Sequence, residues 1–430
     1  WAQAASLKIF GLSEFSLRLP AWFATIGIVW LTWCLANHAR GAAVARWSTL
    51  VLSTMVLTYI SAGAVMTDTF LVFGTTLSLV SVWFVLSGRS DYWRWWFFMG
   101  LAIGLLSKGP LAVVLTVIPL VLWAAIFRQR LQPLKKLPWL LGSLLTLAIA
   151  VPWYVLAELK TPGFLNYFII GEHFSRFLDP GWAGDLYGSA HDRPKGMIWI
   201  FWLWASFPWG IIGLVGFGLA AARGKTKDIF TGAVQDASTL YLLFCAITPM
   251  LFFTLAGNTL WTYILPSLPF SAILIAGWVS KLDLGAWSRV RSGAVLLVPV
   301  LITLVVFISV SGVIPLKTEK QLISRYESIH QAGDSPIFYI GEMPFSARFY
   351  SLGDAVEIIS TEFNSLLEAD GYARVFAVIP NHAVDEVLGP RATDAQKLGE
   401  NERYQLFSID LPPTDSQNDP VDSELNSKND

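Results

Sequence analysis

Apolar stretches long enough to cross a lipid bilayer follow one another between residues 19 and 313. A membrane-spanning helix needs about 20 predominantly apolar residues. By this measure the predicted spans are 19–38, 45–65, 69–88, 93–107, 110–127, 137–157, 197–222, 238–257, 260–280 and 290–313. The pattern predicts a polytopic α-helical membrane protein with about ten transmembrane helices, of which 93–107 is the shortest.

The positions of lysine and arginine give these spans an orientation. Loops with an excess of these residues stay on the cytoplasmic side of the membrane. The positive residues of one set of alternate loops are Arg40, Arg46, Arg89, Arg94, Arg128, Arg130, Lys135, Lys136, Arg223, Lys225, Lys227, Lys281, Arg289 and Arg291. The intervening segments are 1–18, 66–68, 107–110, 158–196, 257–258 and everything after 313. These segments are predicted to face outward, away from the cytoplasm.

The composition changes towards the C-terminus. Residues 1–316 are the predicted transmembrane region. Within 317–411, stretches rich in β-branched and aromatic residues (SPIFYIG, AVEIIS, RVFAVIP and YQLFSI) alternate with helix-like stretches such as EFNSLLEADGY and HAVDEVLG. This alternation predicts a small α/β domain on the outer face of the membrane. The tail 412–430 is polar and acidic, a composition typical of disorder.

The overall composition agrees with a membrane protein. The 430 residues are 54% hydrophobic and 14% charged, against about 25% charged in an ordinary soluble domain. The formal net charge of -1 gives no indication of nucleic-acid binding. Cys34 and Cys245 lie inside apolar stretches and are interpreted as small core residues, not as a disulfide or a metal site.

One polar segment between two apolar runs, residues 158–196, is called the polar loop below. Its histidines and candidate charged side chains are Glu172, His173, Arg176, His191, Arg193 and Lys195. A polar, aromatic-rich loop of this length suits the binding of an anionic ligand, because it can offer several cationic donors. We predict that it forms one wall of an active site.

Asp68 and Lys108 lie at the predicted outer ends of spans. Asp68 has a structural interpretation as a helix N-cap and a functional one as a supporting catalytic carboxylate, and the two are compatible. Snorkelling to the membrane surface is the structural interpretation of Lys108. However, its charge opposes the dipole of the helix that begins at Pro110, and contact with an anionic phosphate explains its position better.

Glu172, His173 and Arg176 follow one another at helical spacing. If 163–178 is an α-helix, Glu172 and Arg176 are i, i+4 neighbours that can pair, and the segment is an interfacial amphipathic helix. In the functional interpretation, Arg176 binds a phosphate, because its planar guanidinium can form paired hydrogen bonds with phosphate oxygens. In the same interpretation, His173 binds a phosphate or a metal, although one histidine is not by itself a zinc site.

The remaining candidates are less specific. His191, Arg193 and Lys195 precede a span, where cations suit lipid phosphates as well as a substrate phosphate. Tyr263 follows the turn 257–258 and lies just inside a span, where an aromatic-belt role is favoured over a hydrogen bond to a phosphate.

Several catalytic patterns are absent from the sequence. It contains no Gly-rich nucleotide cradle, no HExxH, no Ser-His-Asp order and no cysteine cluster. No nucleotide cofactor is therefore predicted. A site on the outer face that works without nucleotide needs a substrate activated in another way, such as a sugar on a lipid phosphate.

Six segments in order carry a family resemblance: IFGLSEFSLRLPAW, MTDTFLVF, LLSKGPLAV, VPWYVLAELKTPGFLNYFIIGEHFSRF, HDRPKG with the later FPW, and LFFTLAGNTLWTYILPSLP. Through residues 1–280 their order and spacing resemble the bacterial phospholipid-carrier-dependent glycosyltransferases of the GT-C type. These include the aminoarabinose transferase that modifies lipid A and relatives of the protein O-mannosyltransferases. The C-terminal domain resembles the family only as a small α/β domain.

The resemblance implies a GT-C-like fold and a reaction at the periplasmic face of the inner membrane. A sugar passes from undecaprenyl phosphate to an envelope acceptor such as lipid A, with a carboxylate as general base and cations on the departing phosphate. It also implies that His173 lies near a divalent metal. The predicted carrier-phosphate residues are Arg176, Lys108, Tyr263, Arg193 and Lys195.

The chain departs from the family pattern at two places. The family's catalytic Asp and its Glu-Lys-Pro-Pro motif lie upstream of a Tyr-Trp pair, and this sequence begins at Trp1. We therefore expect the main base upstream of Trp1 and an inactive fragment. Asn258 stands where relatives often carry a basic residue, which affects the carrier-phosphate grip or the sugar specificity. Alternative functions are a protein O-mannosyltransferase, a transporter or flippase for a lipid-linked saccharide, and a polymerase or ligase of surface polysaccharide.

Overall fold

The structure, a computed structural model, divides the chain into two compact units, Trp1–Ile302 and Thr303–Asp430. The described residues are 1–89, 91–184, 191–224, 226–280, 286–311, 318–368 and 371–411. The predicted boundary at 316/317 and the predicted disordered tail 412–430 both lie outside the described residues.

The first unit is helical. Its α-helices are α1 (Ala2–Phe10), α2 (Glu14–Arg40), α3 (Ala42–Ser53), α4 (Val56–Gly63), α5 (Asp68–Leu86), α6 (Trp93–Lys108), α7 (Leu111–Ile126), α8 (Trp139–Lys160), α9 (Arg176–Leu178), α10 (Met197–Ala205), α11 (Trp209–Ala222), α12 (Thr226–Gln235), α13 (Ala237–Thr254), α14 (Leu268–Val279) and α15 (Ala286–Val310). A π-helix covers Asn166–Ser175, and short 3₁₀ helices cover Arg128–Arg130, Gln132–Lys136 and Trp261–Ser267. The last helix, α15, crosses the division between the two units.

The predicted spans correspond to these helices, with two corrections. Within the described residues, six helices are long and apolar enough to cross a membrane, or up to nine if each bent pair is one span. The predicted continuous spans 45–65 and 197–222 are broken: α3 and α4 meet at 65°, and α10 and α11 at 107°. The short span 93–107 corresponds to α6, which has 16 residues.

The two breaks stabilise each other. The N–H of Val56 donates to the carbonyl oxygen of Phe207 at 3.1 Å. The indole Nε1 of Trp209 donates to Oγ1 of Thr54 at 2.8 Å. Backbone groups freed by a break within an apolar helix need such partners, because lipid offers none. A hydropathy pattern contains no information about this pairing, and this is why both spans were predicted to be continuous.

Glycines bring α5 and α6 into close contact. A Cβ added at Gly74 would lie 2.6 Å from the carbonyl oxygen of Gly100 and 2.7 Å from the nitrogen of Gly104. Small residues of this kind let the backbones of membrane helices approach closely. Because α5 begins where α6 ends, this packing places Asp68 beside Lys108.

The second unit is built on a five-stranded sheet with the order β2-β1-β3-β5-β4. Its elements are β1 (Ile337–Ile340), β2 (Val356–Ile358), β3 (Arg374–Pro380), β4 (Ala395–Glu400), β5 (Tyr404–Asp410), α16 (Lys320–Ile329), α17 (Phe345–Tyr350), α18 (Ser360–Glu368) and α19 (Val384–Leu388). β1 is parallel to β2 and β3, and β5 is antiparallel to β3 and β4. The four predicted strands are confirmed as β1, β2, β3 and β5, whereas the polar edge strand β4 has no apolar pattern to reveal it.

A buried carboxylate lies at the start of α16. Glu319 is 0% exposed. Its Oε1 accepts from Nη2 of Arg403 at 3.0 Å, and its Oε2 accepts from Nδ2 of Asn401 at 3.0 Å and from the Tyr339 hydroxyl at 3.3 Å. Burial, followed by the charge and hydrogen bond of Glu319, raises the pKa of Tyr339 above its usual range, so the phenol stays protonated and donates. The network ties α16 to the sheet.

Candidate active site

Asp68 is the first residue of α5, and Lys108 is the last residue of α6. The Lys108 ammonium donates to Oδ1 of Asp68 at 2.9 Å, and the two side chains are only 23% and 12% exposed. The residue before α5 is Thr67, and no side chain caps this helix. The N-cap interpretation of Asp68 is therefore wrong, because its carboxylate is held by Lys108 instead.

Lys108 joins three parts of the site. Its Nζ lies 5.0 Å from the centre of the Tyr263 ring, in cation–π contact. Its carbonyl oxygen lies 2.9 Å from Nε2 of His173. The next residue, Gly109, has φ +56°, and a Cβ there would lie 2.8 Å from Cε1 of Phe168 and 3.1 Å from Nε2 of His173. Glycine at this turn thus lets the polar loop approach the end of α6.

The polar loop forms a π-helix over Asn166–Ser175, not the α-helix predicted over 163–178. Residues five apart are hydrogen-bonded neighbours in a π-helix, and such segments are frequent at functional sites. The Tyr167 hydroxyl accordingly donates to Oε1 of Glu172 at 2.7 Å. This bond leaves the second carboxylate oxygen of Glu172 directed to another partner.

That partner is Arg176. Its Nη1 donates to Oε2 of Glu172 at 2.8 Å, and the two side chains are 15% and 19% exposed. The i, i+4 pairing predicted from the sequence is confirmed. Because Glu172 also accepts from Tyr167, the carboxylate is fixed on both sides. The arrangement holds the guanidinium in a defined place on the polar loop.

Tyr263 lies on the 3₁₀ helix Trp261–Ser267, with its ring 5.0 Å from Nζ of Lys108. Four charged side chains act electrostatically on its hydroxyl: Lys108, Arg176, Asp68 and Glu172. These five residues are called the charged cluster below. Tyr263 is thus part of a charged site, whereas the sequence favoured an aromatic-belt role for it.

Arg193 and Lys195, also predicted to bind the carrier phosphate, have exposed side chains. Among the contacts between described residues, none joins them to the charged cluster, and their role stays a prediction. The structure adds Asn258, which is 3% exposed and hydrogen-bonds the backbone of the polar loop. In the sequence, Asn258 stood out only as a departure from the family pattern.

The sequence has recognisable relatives. Residues 1–155 match the family described as dolichyl-phosphate-mannose-protein mannosyltransferase. Over 305 residues the chain is 30% identical to undecaprenyl phosphate-alpha-4-amino-4-deoxy-L-arabinose arabinosyl transferase 1 of Pseudomonas fluorescens, covering 68% of this chain and 48% of that protein. Over 317 residues it is 28% identical to the corresponding transferase of Pectobacterium atrosepticum, covering 69% and 52%.

The fold is shared with a solved structure. ArnT from Cupriavidus metallidurans, bound to undecaprenyl phosphate, superposes with a TM-score of 0.74 at 16% identity, covering 96% of this chain and 88% of that one. This chain is similar to the GT-C glycosyltransferases that depend on a phospholipid carrier. The resemblance predicted from its motifs is confirmed, and so is the polytopic helical membrane fold.

The GT-C resemblance and the apolar helices together indicate a multi-pass protein of the bacterial inner membrane. The chain spans about half the length of the curated relatives it matches, 48% of the Pseudomonas fluorescens protein and 52% of the Pectobacterium atrosepticum protein.

The GT-C resemblance also implies a divalent metal near His173. Both ring nitrogens of His173 face carbonyl oxygens, Nδ1 that of Phe168 at 2.7 Å and Nε2 that of Lys108 at 2.9 Å. A metal needs an accessible lone pair on one of these nitrogens. A carbonyl oxygen only accepts hydrogen bonds, and one lies opposite each nitrogen, in the position that a metal would take. The described residues contain no group of three His, Cys, Asp or Glu placed to hold a metal. This arrangement does not fit a metal at His173, which ties the polar loop to α6 instead.

Proposed function

We propose that the protein transfers a sugar from undecaprenyl phosphate, or another polyprenyl phosphate, to a bacterial envelope acceptor such as lipid A. The charged cluster carries this proposal: it contains two cations, each paired with a carboxylate, and one of them, Lys108, lies over the Tyr263 ring. The names of similar proteins support it, since the relatives above are arabinosyl transferases that use an undecaprenyl phosphate sugar. ArnT, which shares the fold, was solved with undecaprenyl phosphate.

The chemistry explains why two cations are needed. In the transfer, the anomeric carbon of the sugar gains a bond to the acceptor oxygen and loses its bond to the carrier phosphate. Negative charge accumulates on the departing phosphate, and fixed donors at that position stabilise the transition state most in a partly desolvated site. Lys108 supplies a point charge, and the fork of Arg176 supplies paired donors for phosphate oxygens.

The carboxylates of the charged cluster hold these cations in place. The acceptor loses a proton during transfer, and a carboxylate is a suitable general base. However, Asp68 is bonded to Lys108, and Glu172 is bonded to both Arg176 and Tyr167. We therefore assign Asp68 a supporting role beside Lys108, and we assign the base to neither carboxylate.

We further propose an orientation in which the charged cluster, the polar loop and the α/β unit face the periplasm. The distribution of lysine and arginine in alternate loops supports it. On this view α6, the six single spans and the three bent pairs make about ten transmembrane helices. The α/β unit over 317–411 is then a periplasmic domain.

An assay of the complete gene product that contains this chain tests the function. Purified into lipid nanodiscs and given an undecaprenyl-phosphate sugar with lipid A, it is expected to release undecaprenyl phosphate. Without acceptor, release of undecaprenyl phosphate should be slow, because no acceptor is present to form the new bond to the sugar. Absence of release with every donor and acceptor tried, at intact folding, would contradict the enzyme.

Replacing Arg176 by alanine is expected to lower turnover at least about tenfold, on the order of 1.4 kcal/mol of activation free energy. The variant removes the paired donors from the departing phosphate, while Arg176→Lys keeps the charge and should lie in between. Arg18→Ala, which removes an exposed arginine that donates to the carbonyl oxygen of Gly63, is the matched control. Equal steady-state rates for Arg176→Ala and the control would remove Arg176 from the site.

Two other functions are separable by the same assay. The match of residues 1–155 to the dolichyl-phosphate-mannose-protein mannosyltransferase family favours a protein acceptor as the second candidate. In that case a periplasmic protein, and not lipid A, would stimulate release. A transporter for a lipid-linked saccharide would move the lipid without breaking the sugar–phosphate bond. Transporters usually place ionisable groups near the bilayer midplane, whereas Asp68 and Lys108 lie at helix ends.

A further inference from the structure

The turn 257–259 lies between the polar loop and the helix that carries Tyr263. We propose that Asn258 is a positioning residue for the carrier phosphate: its buried amide fixes the backbone of Arg176 and thereby the place of the Arg176 guanidinium. This inference rests on the proposed function, since it concerns the phosphate grip of that same site. It gives Asn258 a task that does not involve contact with the phosphate.

All polar groups of the Asn258 side chain are used within the protein. Nδ2 donates to the carbonyl oxygens of Arg176 and Asp179, each at 2.7 Å. Oδ1 accepts from the backbone N–H of His191 at 2.9 Å. An amide group has two N–H donors and one carbonyl acceptor, and here each has a partner. With 3% exposure, the side chain has no surface to offer a ligand.

The neighbours of Asn258 repeat the connection through their backbones. The N–H of Gly257 donates to the carbonyl oxygen of Phe177 at 2.7 Å, and the N–H of Thr259 donates to that of His191 at 3.1 Å. A Cβ added at Gly257 would lie 2.8 Å from the nitrogen of Pro180. The turn therefore lies directly against the chain that follows Arg176 and holds it at several points.

The chemistry of the alternatives shows why an amide suits this position. A lysine has three donors and no acceptor, so it would lose the bond from His191 and bury a charge. An aspartate would lose both donors and place its charge against the carbonyl oxygens of Arg176 and Asp179. Only asparagine matches two carbonyl oxygens and one N–H at this size.

The test measures binding of undecaprenyl phosphate by tryptophan fluorescence for Asn258→Ala and Asn258→Lys, each with Arg176 present and with Arg176→Ala. We expect Asn258→Ala to weaken binding about tenfold with Arg176 present, and less than about twofold without it, because coupled residues are non-additive. Asn258→Lys should also weaken binding. Equal losses in both backgrounds, or tighter binding by Asn258→Lys, would overturn the inference. If Asn258→Ala does not fold, Asn258→Ser, which keeps one hydroxyl, replaces it.

A ligand-free measurement separates this inference from the proposed function. Hydrogen exchange of the amides in 176–181 should become faster in Asn258→Ala, while exchange within α5 stays unchanged. Unchanged exchange in 176–181 would overturn the role of Asn258, whether or not lipid binds. Failure of the parent protein to bind undecaprenyl phosphate, with faster exchange in the variant, would count against the phosphate site and against positioning for it, but not against the hydrogen bonds of Asn258.

Discussion

Replacing Lys108 by methionine is expected to lower the rate of sugar transfer about 100-fold, the usual cost of removing one fixed donor from a developing negative charge. The effect should exceed that of Arg176→Ala, because Lys108 contacts more of the site. Its ammonium bonds Asp68 and lies over the Tyr263 ring. Methionine keeps an unbranched apolar stem and removes the terminal ammonium with its charge and donors.

Stability and catalysis must be separated in this variant. Asp68 is 8% exposed, so Lys108→Met leaves a buried carboxylate without its cation, which typically costs about 3–5 kcal/mol. The double variant Lys108→Met with Asp68→Asn removes both charges and should recover the melting temperature without recovering turnover. Lys136→Met, at an exposed lysine that ends the 3₁₀ helix Gln132–Lys136, is the matched control. Recovery of turnover by the double variant would show that Lys108 acts on stability alone.

The second large effect is expected in the α/β unit. Arg403→Ala removes a partner of Glu319, which is 0% exposed, and should destabilise the unit by about 3 kcal/mol, because the carboxylate is left buried with neutral donors only. The lower end of the usual range applies, since the Arg403 side chain is itself 39% exposed. In the intact protein, amides of β3 and β5 should exchange about 100-fold faster if they exchange through opening of the unit.

The matched control for this prediction is Arg348→Ala. Arg348 pairs with Glu357 at 3.3 Å, and both side chains are well exposed, at 57% and 43%. Exposed pairs of this kind contribute about 0–1 kcal/mol. If Arg403→Ala were no more harmful than Arg348→Ala, burial of Glu319 would not have the energetic consequence argued here.

The membrane helices could be predicted because the bilayer sets the length of an apolar stretch. The breaks between α3 and α4 and between α10 and α11 could not be predicted. Pro208 marks one of them in the sequence, but nothing at Thr54 marks the other, and its partner Trp209 is far away in the chain. Whether an apolar run bends depends on a distant hydrogen bond that hydropathy does not record.

The site shows the same division. Asp68, Lys108 and Arg176 were accessible to prediction, because charge at the end of an apolar stretch is costly and needs a reason. Their pairing arose from packing: Asp68 and Lys108 meet through the glycine contacts of α5 and α6. The roles of His173 and Asn258 depend on backbone carbonyl groups, which every residue has, so no side-chain pattern could reveal them.

The π-helix over Asn166–Ser175 affects how residues are matched between this chain and its relatives. An α-helix bonds residues four apart and a π-helix residues five apart. In a homologue whose corresponding segment is α-helical, one residue fewer would serve the same turn. An alignment without a one-residue gap there would pair Arg176 with the wrong residue of the homologue, one position away from its true counterpart. A shared arginine would then look like a substitution.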